Sequence, residues 1–192
     1  KKKIVVFQFA PAIRTSVGEE FGMKLGEVAT GKLVSAIRAL GCDYVFDVSV
    51  GADFTTYEEA SELLEKLTAS KPQLLLSSCC PSWVRFLELY YPEFVGNLSH
   101  ARPPHIISGG LIKTYFAQKQ NINPRDIVVV SVMPCVAKKY EIERKELLAG
   151  DLKPVDYVLT TRELVLMLKK RNINLNKMAS SKCDEPLGAP SG

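Results

Sequence analysis

The sequence predicts an α/β fold, a parallel twisted sheet with helices on both faces. Two observations carry this. Short apolar runs rich in β-branched residues alternate with helical patterns along the whole chain, and no hairpin signal or internal repeat interrupts them. That pattern means a parallel sheet covered by helices on both faces.

Residues 3–9, KIVVFQF, read as a first buried strand ending at Ala10-Pro11. Thr30-Gly31 opens a helical pattern through Leu33, Ile37 and Leu40, which Gly41 stops. DYVFDVSV, 43–50, is a second strand, and a helix over 53–68 starts at Asp53 as N-cap with an apolar stripe through Phe54, Tyr57, Leu64 and Leu67. QLLLS, 73–77, reads as a third strand running into the double cysteine. Pro81 suits the first turn of a helix reaching about Tyr91. A further helix fills 103–119, IVVVSV at 127–132 is the fourth strand, YVLT at 157–160 the fifth, and RELVLMLKK at 162–170 the last helix.

The chain has 192 residues, 46% hydrophobic and 24% charged, enough for one ordinary domain or one large lobe with a real core. A net charge of +4, scattered apart from the Lys1–Lys3 end, does not point to nucleic acid. No apolar run reaches membrane-spanning length and no signal peptide is visible. Lys1 in place of methionine and the closing EPLGAPSG suggest a piece of a longer protein. Five cysteines without a regular framework argue for a reduced, cytoplasmic setting, where each is a metal ligand, a reactive thiol or an inert core residue.

Ligands of parallel α/β sheets bind beyond the carboxyl ends of the strands. Ala10-Pro11, Cys79-Cys80 and Met133-Pro134-Cys135 all fall at such ends. Cys80 and Cys135 each sit before a helix, whose N-terminal dipole favours thiolate. Neighbouring thiolates suit a soft metal or an iron–sulfur cluster, although a cubane takes four and only two or three can be placed here. The plain alternative is that the paired cysteines are small core residues. MPCVAKKYE, 133–141, shifts the balance, because Lys138 could aim an ammonium at the same edge; by periodicity alone it is a surface lysine. Cys42, at the wrong end of a strand, reads as a buried inert thiol, and Cys183 as a surface one. His105 is equally a structural or surface histidine and a site residue, and His100 is surface. Glu59 and Glu62 share a helix face opposite the Phe54–Leu67 stripe, which by itself reads as solvated surface.

At these residues the sequence resembles the catalytic domain of the FeFe (iron-only) hydrogenases. Their first cysteine motif, Thr-Ser-Cys-Cys-Pro-x-Trp, is similar to Ser77-Ser78-Cys79-Cys80-Pro81-Ser82-Trp83. Their second, Met-Pro-Cys-x-x-Lys-x-x-Glu, is matched by Met133, Pro134, Cys135, Lys138 and Glu141. APAIR, GEEFG, TGKLVSAIRALG, VFD, YYPE and TTREL extend the likeness over essentially the whole chain. The third motif, which supplies the last two cluster cysteines, is absent.

The resemblance implies that residues 1–192 are the N-terminal lobe of the two-lobed iron hydrogenase catalytic domain. It implies reversible reduction of protons to dihydrogen at an H-cluster, a 4Fe-4S cubane joined to a two-iron subcluster with carbon monoxide and cyanide ligands. Cys80 and Cys135 would be cubane ligands and Cys79 the proton-exchanging thiol. Lys138 would hydrogen-bond a cyanide. Met133, Pro134, Ala10 and Pro11 would surround the two-iron unit, with Ala12 where many members have serine. Glu59, Ser99 and Glu62 would relay protons, and His105 would fall where several members have glutamine beside the cluster. Implied partners are the remainder of the catalytic domain, maturation proteins, and ferredoxin or NAD(P)H-linked electron-transfer subunits. The alternatives are a hydrogen sensor, an iron–sulfur cluster assembly factor, or a zinc site of two cysteines and a histidine.

Overall fold

The structure, a computed structural model, describes residues 3–71, 73–185 and 188. Lys1, Lys2 and most of the closing EPLGAPSG lie outside the described residues. In chain order the strands and α-helices are β1 (Ile4–Phe9), α1 (Ile13–Ser16), α2 (Thr30–Ala39), β2 (Tyr44–Asp47), α3 (Ser49–Thr68), α4 (Pro81–Tyr90), α5 (Pro104–Leu111), α6 (Ala117–Lys119), β3 (Ile127–Met133), α7 (Ala137–Glu141), β4 (Tyr157–Thr160) and α8 (Thr161–Lys170). A π-helical turn, Ile112–Phe116, joins α5 to α6, so helical backbone fills most of the segment expected to be one helix.

The four strands form one parallel sheet in the order β2-β1-β3-β4. Alternate residues of β1 and β3 face opposite sides. Phe7, Phe9, Val130 and Val132 pack with Leu33, Val34 and Ile37 of α2 and Leu164 and Leu168 of α8. On the other side Val6, Ile127, Val129 and Met133 pack with Ile106 of α5, Ile112 and Phe116. The expected sheet with helices on both faces is therefore present.

Three expectations need correction. Residues 73–77 are not a strand of this sheet; only an isolated bridge pairs Leu76 with Leu98. Leu76 donates its N–H to the Asn97 carbonyl at 2.8 Å and accepts from Ser99 N–H at 2.7 Å. The double cysteine consequently follows an extended segment beside the sheet rather than a sheet strand.

The second strand is shorter than expected and the helix after it begins at Ser49, not beyond Asp53. Asp47 explains the early start, since its Oδ1 accepts the Ser49 N–H at 2.9 Å and so satisfies an otherwise orphaned helix donor.

The apolar stripe of α3 also faces outward: Phe54, Tyr57, Leu64 and Leu67 are exposed. The buried side carries small residues, Ser49, Val50, Gly51 and Thr55. A Cβ at Gly51 would drive into the Pro104 carbonyl oxygen and reach Ser108 Cβ at 3.0 Å, so only glycine allows α3 to approach α5 this closely. Thr55 completes the contact by donating to the Arg102 carbonyl at 3.0 Å.

Candidate active site at the two cysteine motifs

Residues 77–80 form an extended segment that ends where Pro81 starts α4. Ser78 anchors this segment by donating to the Ala101 carbonyl at 2.9 Å. Cys79 and Cys80 are exposed free thiols, and Cys135, between β3 and α7, is a partly buried one. Helices α4 and α7 pack together. One side chain joins the two motifs: Lys138 Nζ donates to the Cys79 carbonyl at 2.6 Å, while its N–H donates to the Cys135 carbonyl at 3.2 Å. The inference that the motifs share one edge thus holds, although its premise of a sheet strand before Cys79 does not.

Lys138 is held from behind. Its ammonium pairs with both carboxylate oxygens of Glu141, at 3.0 and 2.9 Å. Glu141 in turn bonds His105 Nε2, and both side chains are almost wholly buried, at 3% and 1% exposure. His105 Nδ1 lies 3.4 Å from Ser131 Oγ, which accepts from Gln8 Nε2 at 2.5 Å. Gln8 also donates to the His105 carbonyl at 2.8 Å. Burial holds the His105 pKa below its usual value, outweighing the opposite pull of Glu141.

The acidic residues of α3 meet this edge from the other side. Ser77 Oγ lies 2.8 Å from Glu59 Oε1 and 3.6 Å from Cys79 Sγ. Ser99, buried, donates to Glu62 Oε2 at 2.8 Å, and His100 holds the same carboxylate through its N–H and ring, each at 3.0 Å. Burial alone would raise the Glu62 pKa, but hydrogen bonds from His100 and Ser99 outweigh it and hold the carboxyl below its usual value. The structure therefore brings Cys79 together with Glu59, and Ser99 with Glu62. Ser77 is the link that sequence reasoning missed, and the doubled serine before the cysteines was its only signal. Gln8 and Ser131 were missed too, though each is a lone polar residue inside an apolar strand run, in register with the other.

The remaining residues fall as follows. Ala10 is partly buried and Pro11 exposed just past β1, and Pro134 is exposed past β3. Met133 is buried in the sheet's core cluster. His105 faces Glu141, and His100, exposed as expected, faces Glu62, so neither histidine turns toward a thiol. Among the described residues no group of three or more His, Cys, Asp and Glu side chains could hold a metal, so the zinc reading lacks its third ligand. Cys42 is half-buried, its pKa raised to about 11 chiefly by burial. Cys183, expected at the surface, is also half-buried against the core, and burial raises it to about 11. No helix among the described residues is long and apolar enough to cross a membrane.

This parallel α/β fold, presenting two thiol-bearing segments and a lysine clamp at one edge, defines a candidate metallocofactor domain. The chain belongs to the family formed by the C-terminal domain of the iron-only hydrogenase large subunit; the family's model matches residues 3–192. It is 42% identical to iron hydrogenase 1 of Clostridium pasteurianum, over 100% of this chain and 33% of that protein. It is 34% identical to the cytosolic Fe-S cluster assembly factor narfl of Danio rerio, over 96% of this chain and 46% of that protein. A variant of the apo [FeFe]-hydrogenase HydA1 from Chlamydomonas reinhardtii superposes with a TM-score of 0.91 at 39% identity, over 99% of this chain and 48% of that one. The chain spans less than half the length of these relatives.

Proposed function

We propose that this chain is the N-terminal lobe of a hydrogenase catalytic domain whose whole protein interconverts protons, electrons and dihydrogen. The observation that carries the reading is Lys138, whose bond to the Cys79 carbonyl draws both cysteine motifs to one edge. The donor set fits half of a cubane's needs: two accessible thiols, Cys80 and Cys135, on adjoining segments, with two more to come from the second lobe.

The H-cluster, when bound, supplies the redox metals at which protons and electrons combine. Cys80 and Cys135 would hold its cubane. Cys79, left free of ligation, holds a proton on Sγ and passes it to Ser77, 3.6 Å away, whose hydroxyl lies 2.8 Å from Glu59. Ser99 and Glu62, bonded to each other at 2.8 Å, form a second pair that the relay would use further out. The Lys138 charge would favour an anionic cofactor at this edge, and Ala10, Pro11, Met133 and Pro134 would wall the site. The setting is cytoplasmic, although one hydrogenase relative, the large subunit from Nitratidesulfovibrio vulgaris, is named as periplasmic. Electrons come from ferredoxin or an NAD(P)H-linked subunit, and maturation proteins deliver the cofactor.

The test is an infrared spectrum of the full-length, cofactor-matured protein in the carbon monoxide and cyanide stretching region, with a hydrogen-evolution assay on the same sample. Metal-bound bands with turnover that collapses in Cys79→Ala support the reading. Bands without turnover favour a sensor. A cubane without such bands favours an assembly factor, the role named for the Danio rerio relative.

A further inference from the structure

His105 lies one position inside α5, at the foot of the close α3–α5 contact, and faces the second side of the sheet. Its neighbours fix the direction of every proton around it. The Glu141 carboxylate can only accept, so the neutral ring gives it the Nε2 hydrogen and Nδ1 is left to accept from Ser131 Oγ at 3.4 Å, while Ser131 Oγ itself accepts from Gln8 Nε2 at 2.5 Å. With Nδ1 accepting, the ring proton sits on Nε2 and points at Glu141 Oε2. The Glu141 carboxylate receives that proton on one side and the Lys138 ammonium on the other. Lys138 also donates to the Cys79 carbonyl at 2.6 Å. The chain Gln8–Ser131–His105–Glu141–Lys138 thus runs from the centre of the sheet to the cysteine segment with matched donors and acceptors at each joint.

We infer that His105 is a positioning residue: held as the neutral Nε2–H tautomer by Ser131 and Gln8, it fixes Glu141, which aims the Lys138 ammonium at the Cys79 segment. In place of a side chain reaching into the site, the protein uses an imidazole turned away from it. The clamp stands on geometry; only what Lys138 faces rests on the hydrogenase reading.

The test compares wild type, His105→Ala and His105→Gln in the full-length protein before cofactor loading. Lysines are labelled with trace acetic anhydride and quantified by peptide mass spectrometry, with the exposed Lys145 as internal reference. In wild type Lys138 labels slowly. His105→Ala raises the Lys138-to-Lys145 ratio about tenfold, because the ammonium loses its fixed carboxylate. His105→Gln, whose amide N–H can still donate to Glu141, returns the ratio to the wild-type value. An unchanged ratio in His105→Ala overturns the inference, as does His105→Gln labelling like His105→Ala. If His105→Ala does not fold, Ser131→Ala, which removes the Nδ1 partner together with one acceptor of Gln8, leaves the imidazole in place and moves the ratio the same way; no change there overturns the inference too. In the matured protein, His105→Ala also shifts the cyanide stretching bands. Absence of those bands in wild type defeats the hydrogenase reading while leaving the labelling result to stand or fall alone.

Discussion

Removing Glu141 is the most severe single change this site allows. Its carboxylate joins the buried His105 Nε2 and the partly buried Lys138 ammonium, 1% and 13% exposed. In Glu141→Ala the ammonium keeps only the Cys79 carbonyl, and the imidazole N–H keeps nothing. Stripping one partner from a buried ion pair costs about 3–5 kcal/mol, because the remaining charge stays desolvated. With a urea m-value of about 3 kcal/mol/M, the unfolding midpoint falls by about 1–1.7 M. Glu141→Gln keeps an oxygen for His105 but loses the charge, and costs about half as much. Urea titrations followed by circular dichroism on wild type and both variants measure this. A loss below about 1 kcal/mol in Glu141→Ala refutes the reasoning, since it would mean that Lys138 and His105 find other partners at no cost.

Gly51→Ala forces α3 away from α5 and destabilises by about 1–3 kcal/mol, read in the same titration. Glu163 closes a capping box with Thr160 and pairs with Lys139, and its pKa is lowered to about 2, chiefly by the Lys139 hydrogen bond. Its contribution is therefore complete above its ordinary value near 4.5 and fades as pH falls toward about 2. The pair is partly exposed, so Glu163→Gln costs about 1 kcal/mol at pH 7 and nothing at pH 2, measured by thermal melts across that range. Iodoacetamide at pH 8 modifies Cys79 and Cys80 well before Cys42 and Cys183, whose thiols ionise only near about 11; equal rates by mass spectrometry contradict the burial argument.

The four strands were legible because each is a run of β-branched or aromatic residues with no other way to be buried. QLLLS misled because leucine carries no strand preference, and its apolarity serves a single bridge to Leu98 outside the sheet. The α3 stripe misled for a different reason. Helix amphipathicity is usually read from large residues, whereas here the buried side is the one with Gly51 and Thr55, chosen for closeness rather than for area. Of the site, the cysteines and Lys138 were legible by motif. The supports Gln8, Ser131 and Ser77 were not, because a polar residue inside a strand or beside a turn shows its partner only once the chain is folded. Glu141 was visible only as part of a motif; its grip on His105 spans residues 36 apart in the chain.

The bond from Lys138 to the Cys79 carbonyl spans 59 positions of sequence. In the finished fold it rests on α7 lying beside α4, and α7 follows directly on β3, which pairs with β1. Closing a loop of that size carries an entropic cost that the finished sheet offsets and an unfinished one does not. The two cysteine segments are therefore strangers during most of folding. A nascent or partly folded chain therefore keeps Cys135 apart from the Cys79-Cys80 pair, and only the finished fold offers a metal ion thiols from both segments at once.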